Sequence, residues 1–148
     1  MNVSVRVVGA DKVHAQMLAI QAGLRSGAFA AAMLAGAKLI EAEAKRQAPV
    51  KTGTLSRSIT TELAESSETH VLVEIGTNLV YAAVQEFGGT ITARNAPYLV
   101  FQTDDGQWHS VRSVTIPAHP YLRPAADIAG PLAIAFVAGE ITKLLEVA

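Results

Sequence analysis

Apolar and polar residues alternate in several stretches of the chain, with the period of two that is typical of half-buried β-strands. Residues 3–7 alternate in this way and end at Gly9, which predicts a first strand. Residues 59–63 and 71–75 alternate as well, and the polar residues 65–68 lie between them. The pattern therefore predicts that these two runs form an antiparallel hairpin.

A period near 3.6 residues predicts two N-terminal helices. The first would be capped by Asp11 and interrupted by the glycines of residues 23–27. The second, the longest, would end at Pro49, and Glu41 and Lys45 would form an i, i+4 ion pair on it. The predicted apolar faces are Val13, Met17, Ile20 and Leu24 in the first helix and Phe29, Met33, Ala37, Ile40 and Ala44 in the second.

Residues 79–91 form a short stretch with strong stop signals at both ends. Thr77 or Asn78 could cap a helix there, and Gly88 is expected to adopt the positive φ that ends it. The spacing predicts an apolar face made of Val80, Val84 and Phe87.

The C-terminal third reads as strands followed by a helix. Residues 90–92 start a strand, and residues 98–102 and 111–116 are predicted to pair across a turn that contains Asp-Gly. A proline-rich segment then leads to a last helix, which Gly130-Pro131 is expected to break or restart. The predicted apolar face of this helix is Ile134, Val137, Ile141, Leu144 and Leu145.

The order of these elements indicates an α+β fold. We expect an antiparallel sheet with a long N-terminal helix and a C-terminal helix packed on it, and a short helix between the central strands. Residues 50–57 have no apolar period and are predicted to be a loop. With 148 residues, half of them hydrophobic, residues 1–148 are expected to form a single domain with a substantial core.

Composition narrows the possible functions. A net charge of −1 argues against electrostatic binding to nucleic acid or to anionic membranes. The absence of cysteine excludes disulfides and thiolate chemistry. No signal peptide is evident, and residues 28–40 are too short and too interrupted to span a bilayer, so synthesis and use in the cytosol are expected.

No group of side chains has the spacing of a catalytic, cofactor-binding or metal site. The four histidines are not spaced as metal ligands, and Asp104-Asp105 precede a glycine in a predicted turn. The position of Glu86 near the end of a predicted helix favours a structural role, either capping or pairing with an arginine across a subunit contact. Trp108 could be an exposed interface anchor or an aromatic that packs a hairpin.

Four motifs occur in a characteristic order. They are Ala42–Pro49 (AEAKRQAP), Lys51–Ile59 (KTGTLSRSI), Tyr81–Gly88 (YAAVQEFG) and Ile116–Ala125 (IPAHPYLRPA). Together they resemble the tail-component, or tail-completion, proteins of long-tailed bacteriophages and prophages, over residues 11–145. The portion from Gly88 to Pro120 is more similar to the virion-morphogenesis proteins of Mu-like phages, although His119 stands where that branch frequently has arginine.

The resemblance implies a structural virion protein that joins or completes the tail for head attachment. Such proteins form rings at the neck, commonly of six copies, and contact the tail tube protein and head-side connector proteins. DNA would pass through the ring without specific binding, and no membrane, metal or cofactor is implied. Assembly would take place in the host cytoplasm. Alternatives are a transient morphogenesis factor and, in another class, a small hydrolase acting on cell wall or nucleic acid.

The resemblance also assigns roles to residues, none of them catalytic. Lys51, Thr52, Gly53, Leu55 and Arg57 would belong to a mobile loop that orders on docking with a neighbour, and Trp108 would be a further contact. The remaining motif residues would shape the fold: Pro49 ends the long helix; Tyr81, Glu86, Phe87 and Gly88 shape the short helix and its turn; Pro117, Pro120, Tyr121, Leu122 and Pro124 brace the sheet against the last helix.

Overall fold

The computed structural model describes residues 8–103 and 105–146. Its helices are α1 (Ala10–Arg25), α2 (Ala28–Gln47), α3 (Thr54–Ser58), α4 (Ala82–Phe87) and α5 (Leu122–Glu146). Its strands are β1 (Thr60–Ser66), β2 (Val71–Gly76), β3 (Gly89–Thr92), β4 (Leu99–Gln102), β5 (Trp108–Val111) and β6 (Ser113–Ile116). This α+β architecture confirms the predicted fold class. The first strand predicted over residues 3–7, and Asp104 of the predicted turn, lie outside the described residues.

The strands form three antiparallel pairs instead of one continuous sheet. β1 pairs with β2, which confirms the predicted hairpin. The prediction of one strand over residues 111–116 was wrong, because the run divides at Arg112. β5 pairs with β4, whereas β6 pairs with β3. The two halves of the run therefore belong to different ribbons.

The long helices α2 and α5 contact each other through small residues. Ala125, Ala129 and Ala133 are buried at successive i+4 positions of α5. A Cβ added at Gly36 of α2 would lie 3.2 Å from the carbonyl oxygen of Ala133 and 2.5 Å from Cγ2 of Val137. Gly36 thus permits the close approach of the two helix backbones.

The predicted break at Gly130-Pro131 was wrong, because α5 continues through Pro131. An interior proline removes one hydrogen bond and costs about 3 kcal/mol in a helix. Ala129 and Ala133, on either side of it, are both buried. Burial of this face on both sides of the proline offsets the lost hydrogen bond and keeps the helix continuous.

A second part of the core lies where α2, α3, α4 and α5 meet. Leu55 is 4% exposed and Ile59 1% exposed in this cluster. The prediction of a loop over residues 50–57 was therefore wrong in part, since Thr54–Ser58 form α3 after Gly53, which has a φ of 72°. A single helical turn is too short to show an apolar period, but it is sufficient to bury Leu55. The other members of the cluster are Ala44, Ala48, Ala82, Tyr121 and Ala125.

The first helix differs from its prediction at its start and in its environment. Asp11 lies in the first turn of α1, and the preceding cap residue is Gly9 instead. Val13 and Met17, on the predicted apolar face, are 56% and 61% exposed. α1 meets α2 at an angle of 69°, which turns most of this face away from the core. Most of the apolar face of α1 is therefore left exposed by the described part of the chain.

Candidate functional site

Glu86 links the short helix α4 to the N-terminus of α5. Its Oε2 accepts hydrogen bonds from the backbone N–H groups of Tyr121 at 2.8 Å and Leu122 at 2.9 Å, and its Oε1 accepts one from Arg123 at 3.0 Å. The first N–H groups of a helix have no intrahelical acceptor, and the helix dipole favours a negative charge there. Of the two structural roles considered for Glu86, capping is the one that the geometry shows.

The electrostatics of Glu86 suit this capping role. Burial raises the pKa of its carboxyl group, but the N–H groups of Leu122, Tyr121 and Arg123 and the charge of Arg123 lower it by more, so the pKa lies below its ordinary value. A general base working near neutral pH needs a raised carboxyl pKa. Glu86 is therefore equipped to hold α5 in place and not to transfer protons.

Two of the three residues of the apolar face predicted for this segment point outward, and the third, Val84, is half-buried. Val80, which precedes α4, is 95% exposed and Phe87 is 72% exposed, whereas Ala82 and Glu86 are buried. Glu86 turns inward because the N–H groups of α5 lie there, and Phe87 must then point outward. Thr77 does not cap α4, as its Oγ1 accepts a hydrogen bond from the backbone N–H of Leu79.

Gly88 adopts the predicted positive φ, with a value of 71°. A Cβ added there would lie 2.9 Å from the backbone nitrogen of Ala118 and 3.1 Å from the carbonyl oxygen of Ile116. The backbone N–H of His119 donates to the carbonyl oxygen of Gln85 at 2.7 Å in the same place. Gly88 thus lets the segment before α5 lie directly against the end of α4.

The proline-rich segment contributes to this junction unequally. Tyr121 is 3% exposed in the core, and burial, followed by the charge of Glu86, raises the pKa of its hydroxyl group. Pro117 and Pro120 are exposed, and Leu122 is half-buried. Pro124 lies within the first turn of α5 instead of in the extended segment that the sequence predicted. A proline is tolerated there because the N–H that it lacks would have no intrahelical acceptor.

The segment proposed to dock with a neighbour divides into buried and exposed residues. Leu55 belongs to the core and is not available for contact in the folded subunit. Lys51, Thr52 and Arg57 are exposed. The hydroxyl of Ser56 donates to the carbonyl oxygen of Lys45 at 2.9 Å, which fixes α3 against the end of α2.

Among the described residues, α5 exposes several large apolar side chains, and we call four of them together the α5 outer face. It comprises Ile128, Leu132, Ile134 and Phe136, which are 56%, 65%, 72% and 41% exposed. By length and composition alone α5 could cross a membrane. The 18-residue segment that meets this criterion has a mean hydropathy of 1.6, and 11% of it is buried. Taken together, α1 and α2 also have the length and apolar composition of a membrane span, as a pair of helices bent by 69°. The only stretch weighed from the sequence as a membrane span is residues 28–40, so this property of α5 was not predicted.

Beside this face, α1, α2 and α5 enclose an open groove of about 680 Å³. Half of its lining residues are alanines, and α5 contributes Phe136 and Leu144. Glu140 and Lys143 also line it and form an ion pair with each other at 2.6 Å. A groove of this composition suits contact with another apolar surface.

The β4–β5 hairpin presents Trp108 to solvent. Trp108 is 70% exposed and lies opposite Gln102 in the strand register. The aromatic pair of the hairpin is instead Phe101 and His109, whose rings are stacked with centroids 5.7 Å apart. Trp108 is therefore exposed and takes no part in the aromatic stacking of this hairpin.

Several titratable side chains of the described residues form ion pairs. Glu41 is buried between Lys38 at 2.5 Å and Lys45 at 2.6 Å. Burial raises the pKa of Glu41, but the two lysines outweigh it and lower that pKa to about 2. The predicted Glu41–Lys45 pair is confirmed, although Glu41 faces the interior. Within residues 8–103 and 105–146, no group of three or more histidines and carboxylates could hold a metal ion.

The described residues thus leave apolar side chains of α1 and α5 exposed. The sequence matches the family described as "Bacteriophage HK97-gp10, putative tail-component" over residues 11–88, which is more than half of the chain. The chain belongs to this family of phage tail components, and a tail component is located in the virion tail. No curated protein and no solved structure matches the chain.

The matched region contains three of the four sequence motifs. It includes Ala42–Pro49, Lys51–Ile59 and Tyr81–Gly88, and therefore Glu86 and the glycine that follows α4. The fourth motif, Ile116–Ala125, lies beyond it. The similarity of residues 88–120 to Mu-like morphogenesis proteins stays a prediction.

Proposed function

We propose that this protein is a structural, non-catalytic subunit of a ring at the neck end of the phage tail. The ring joins or completes the tail for head attachment and contacts the tail tube protein on one side and head-side connector proteins on the other. Six copies are the expected number. Membership of the tail-component family supports the location in the tail, and the exposed surfaces of the subunit support its assembly.

The observation that carries the proposal is the α5 outer face. Its four large side chains are between 41% and 72% exposed. Exposed apolar side chains on a helix are available for interaction, and fully burying one such side chain contributes about 1.5–3 kcal/mol. The opposite face of α5 is already buried against α2. The outer face is therefore free for a neighbouring subunit.

A ring requires two different contact patches on each subunit, because each copy meets its neighbours head to tail. The chain provides separate surfaces of this kind on α1, α5 and the β4–β5 hairpin. DNA passing through a ring would be held by a basic lumen. The net charge of −1 is compatible with passage without retention.

Assembly on purified tail tubes tests the proposal. We expect light scattering and negative-stain microscopy to show rings at tube ends, or in solution at high concentration. Leu132→Glu/Ile134→Glu should abolish them, because it places charges on the α5 outer face. Ala42→Glu is the matched control, since Ala42 is an exposed position on α2.

Three results would contradict the proposal or narrow it. A wild-type protein that stays monomeric beside tail tubes would overturn it. Insertion into lipid vesicles through α5 would also overturn it, since the apolar face would then serve a membrane. The protein could also form rings in assembly reactions and yet be absent from purified virions by mass spectrometry. That result would indicate a transient morphogenesis factor instead of a permanent subunit.

A further inference from the structure

The outer face of the β1–β2 ribbon carries two carboxylates without a cation partner. Glu62 and Glu74 lie directly opposite each other in the register, and both are exposed. Like charges in this position destabilise an antiparallel pair. No ion pair or hydrogen bond joins either carboxylate to another residue of the described chain. The other two carboxylates of the ribbon are paired, Glu65 with His70 and Glu68 with Arg25.

A recess of about 560 Å³ lies beside these carboxylates. Glu62 and Glu74 line it together with Ile75 and Gly76. A Cβ added at Gly76 would meet nothing within 4 Å, and Gly76 is not among the glycines with positive φ. The recess is thus open above Gly76, and a larger side chain at this position would fill it without strain in the subunit.

The β4–β5 hairpin carries a projecting apolar face. Val100 pairs with Ser110 and Gln102 with Trp108, so these four side chains share one face of the hairpin. Val100 is 64% exposed and Trp108 is 70% exposed on that face. A projecting tryptophan is a frequent anchor of protein interfaces.

Two arginines stand at the base of this hairpin. The backbone N–H of Ala93 donates to the carbonyl oxygen of Arg112 at 3.0 Å, which places Arg94 and Arg112 at the same end of the β3–β6 pair. Both are exposed, and neither guanidinium forms an ion pair within the described part of the chain. The hairpin base thus carries two uncompensated cations, and the β1–β2 ribbon carries two uncompensated anions.

We infer that the outer face of the β1–β2 ribbon binds the β4–β5 hairpin of a second copy of this chain. Trp108 of one copy enters the recess above Gly76 of the next, and Arg94 and Arg112 face Glu62 and Glu74. The complementary charges select this occupant, and the contact joins two different patches, as a head-to-tail ring requires. The inference rests on the proposed function and names one of the contacts in the ring.

Charge exchange tests the contact. Glu62→Lys/Glu74→Lys and Arg94→Glu/Arg112→Glu should each weaken ring formation on tail tubes at least tenfold, whereas all four substitutions together should restore it. Glu68→Lys, which makes one such substitution at the ribbon's turn, should assemble normally. Gly76→Leu should also block assembly while the melting temperature stays near that of wild type. If wild type forms rings and the two double variants do so equally well, this inference fails and the proposed function stands.

Cross-linking decides the inference even where no ring forms. The chain has no cysteine, so a Gly76→Cys chain and a Ser110→Cys chain can be mixed and treated with a short bis-maleimide. We expect the two variants to form a cross-linked pair. Adding Trp108→Ala to the Ser110→Cys chain should remove this product. The control is a Thr115→Cys chain in place of the Ser110→Cys chain, because Thr115 is exposed on β6. Absence of the pair, or an equal yield with the control, would overturn the contact whatever the fate of the proposed ring.

Discussion

The Oε2 atom of Glu86 lies 2.8 Å from the backbone nitrogen of Tyr121, 35 residues later in the chain. This hydrogen bond is buried and joins the end of α4 to the start of α5. Because α5 carries the α5 outer face, the contact sets the position of the surface that we assign to assembly. A side chain with no catalytic function therefore affects function through the placement of a helix.

Glu86→Gln should lower the free energy of unfolding by about 1–2 kcal/mol. The amide retains one acceptor oxygen, but it loses the negative charge and one of the two oxygens that receive the three N–H groups. Urea denaturation followed by circular dichroism measures the change. Glu140→Gln, at a partly exposed ion pair that lines the groove, is the control, with an expected change within about 0.5 kcal/mol. Equal effects of the two substitutions would contradict the capping role.

Acid should destabilise the fold through Glu41. Its pKa of about 2 in the folded protein lies below the value of 4.5 expected when unfolded. A lowered folded-state pKa contributes stability that is present above pH 4.5 and is lost as pH falls toward about 2. The contribution is on the order of 2 kcal/mol.

Denaturant titrations between pH 6 and pH 2 check this prediction. Glu41→Gln should be less stable than wild type at pH 6, and the two should converge as the pH falls. Glu140→Gln, at an ion pair near the surface, should keep the acid sensitivity of wild type. Parallel pH curves for wild type and Glu41→Gln would be inconsistent with the cause that we assign.

Gly88→Val should destabilise the protein by at least about 2 kcal/mol. Its φ of 71° disfavours a β-branched residue, and the new Cβ would lie 2.9 Å from the backbone nitrogen of Ala118. Gly139→Ala is an informative comparison, because Gly139 lies inside α5 with nothing within 4 Å of an added Cβ. That substitution should stabilise the protein by about 0.5–1 kcal/mol. Thermal unfolding measures both changes, and the melting temperature should fall for Gly88→Val and rise for Gly139→Ala.

Leu55→Ala should reduce stability by about 2–5 kcal/mol, as expected for a truncated core leucine. Leu55 is 4% exposed, whereas Arg57 in the same helix is exposed. Arg57→Ala should leave the melting temperature almost unchanged, which makes Arg57 the better position for testing a contact with a neighbour. A stable Leu55→Ala variant that fails to assemble would show that Leu55 acts at an interface instead of in the core.

The secondary structure predicted from sequence succeeded where the deciding interactions are local. The hairpin of β1 and β2 follows from alternation on either side of a polar turn, and the end of α4 follows from the conformational freedom of Gly88. Prediction failed at α3 and at Pro131. A single turn shows no period, and the continuity of α5 through Pro131 depends on burial of the alanines beside it.

The candidate assembly surface was only partly predictable. Trp108 was recognised as a possible exposed anchor from its place after a turn. The opposition of Glu62 and Glu74 could have been found by pairing the residues of the predicted hairpin, since both residues belong to strands that the alternation located. The grouping of Arg94 with Arg112 could not have been found in this way, because it depends on the pairing of β6 with β3.

By itself the sequence determined the fold class, most of the helices, the β1–β2 hairpin and the family motifs, because periodicity, glycine and proline act over a few residues. Only the tertiary structure decided which face of α4 is buried and which face of α5 stays open. The inward turn of Glu86 depends on N–H groups 35 or more residues away, and the exposure of Ile134 depends on α2 covering the opposite side of α5. Burial is a property of distant partners, and no local pattern specifies it.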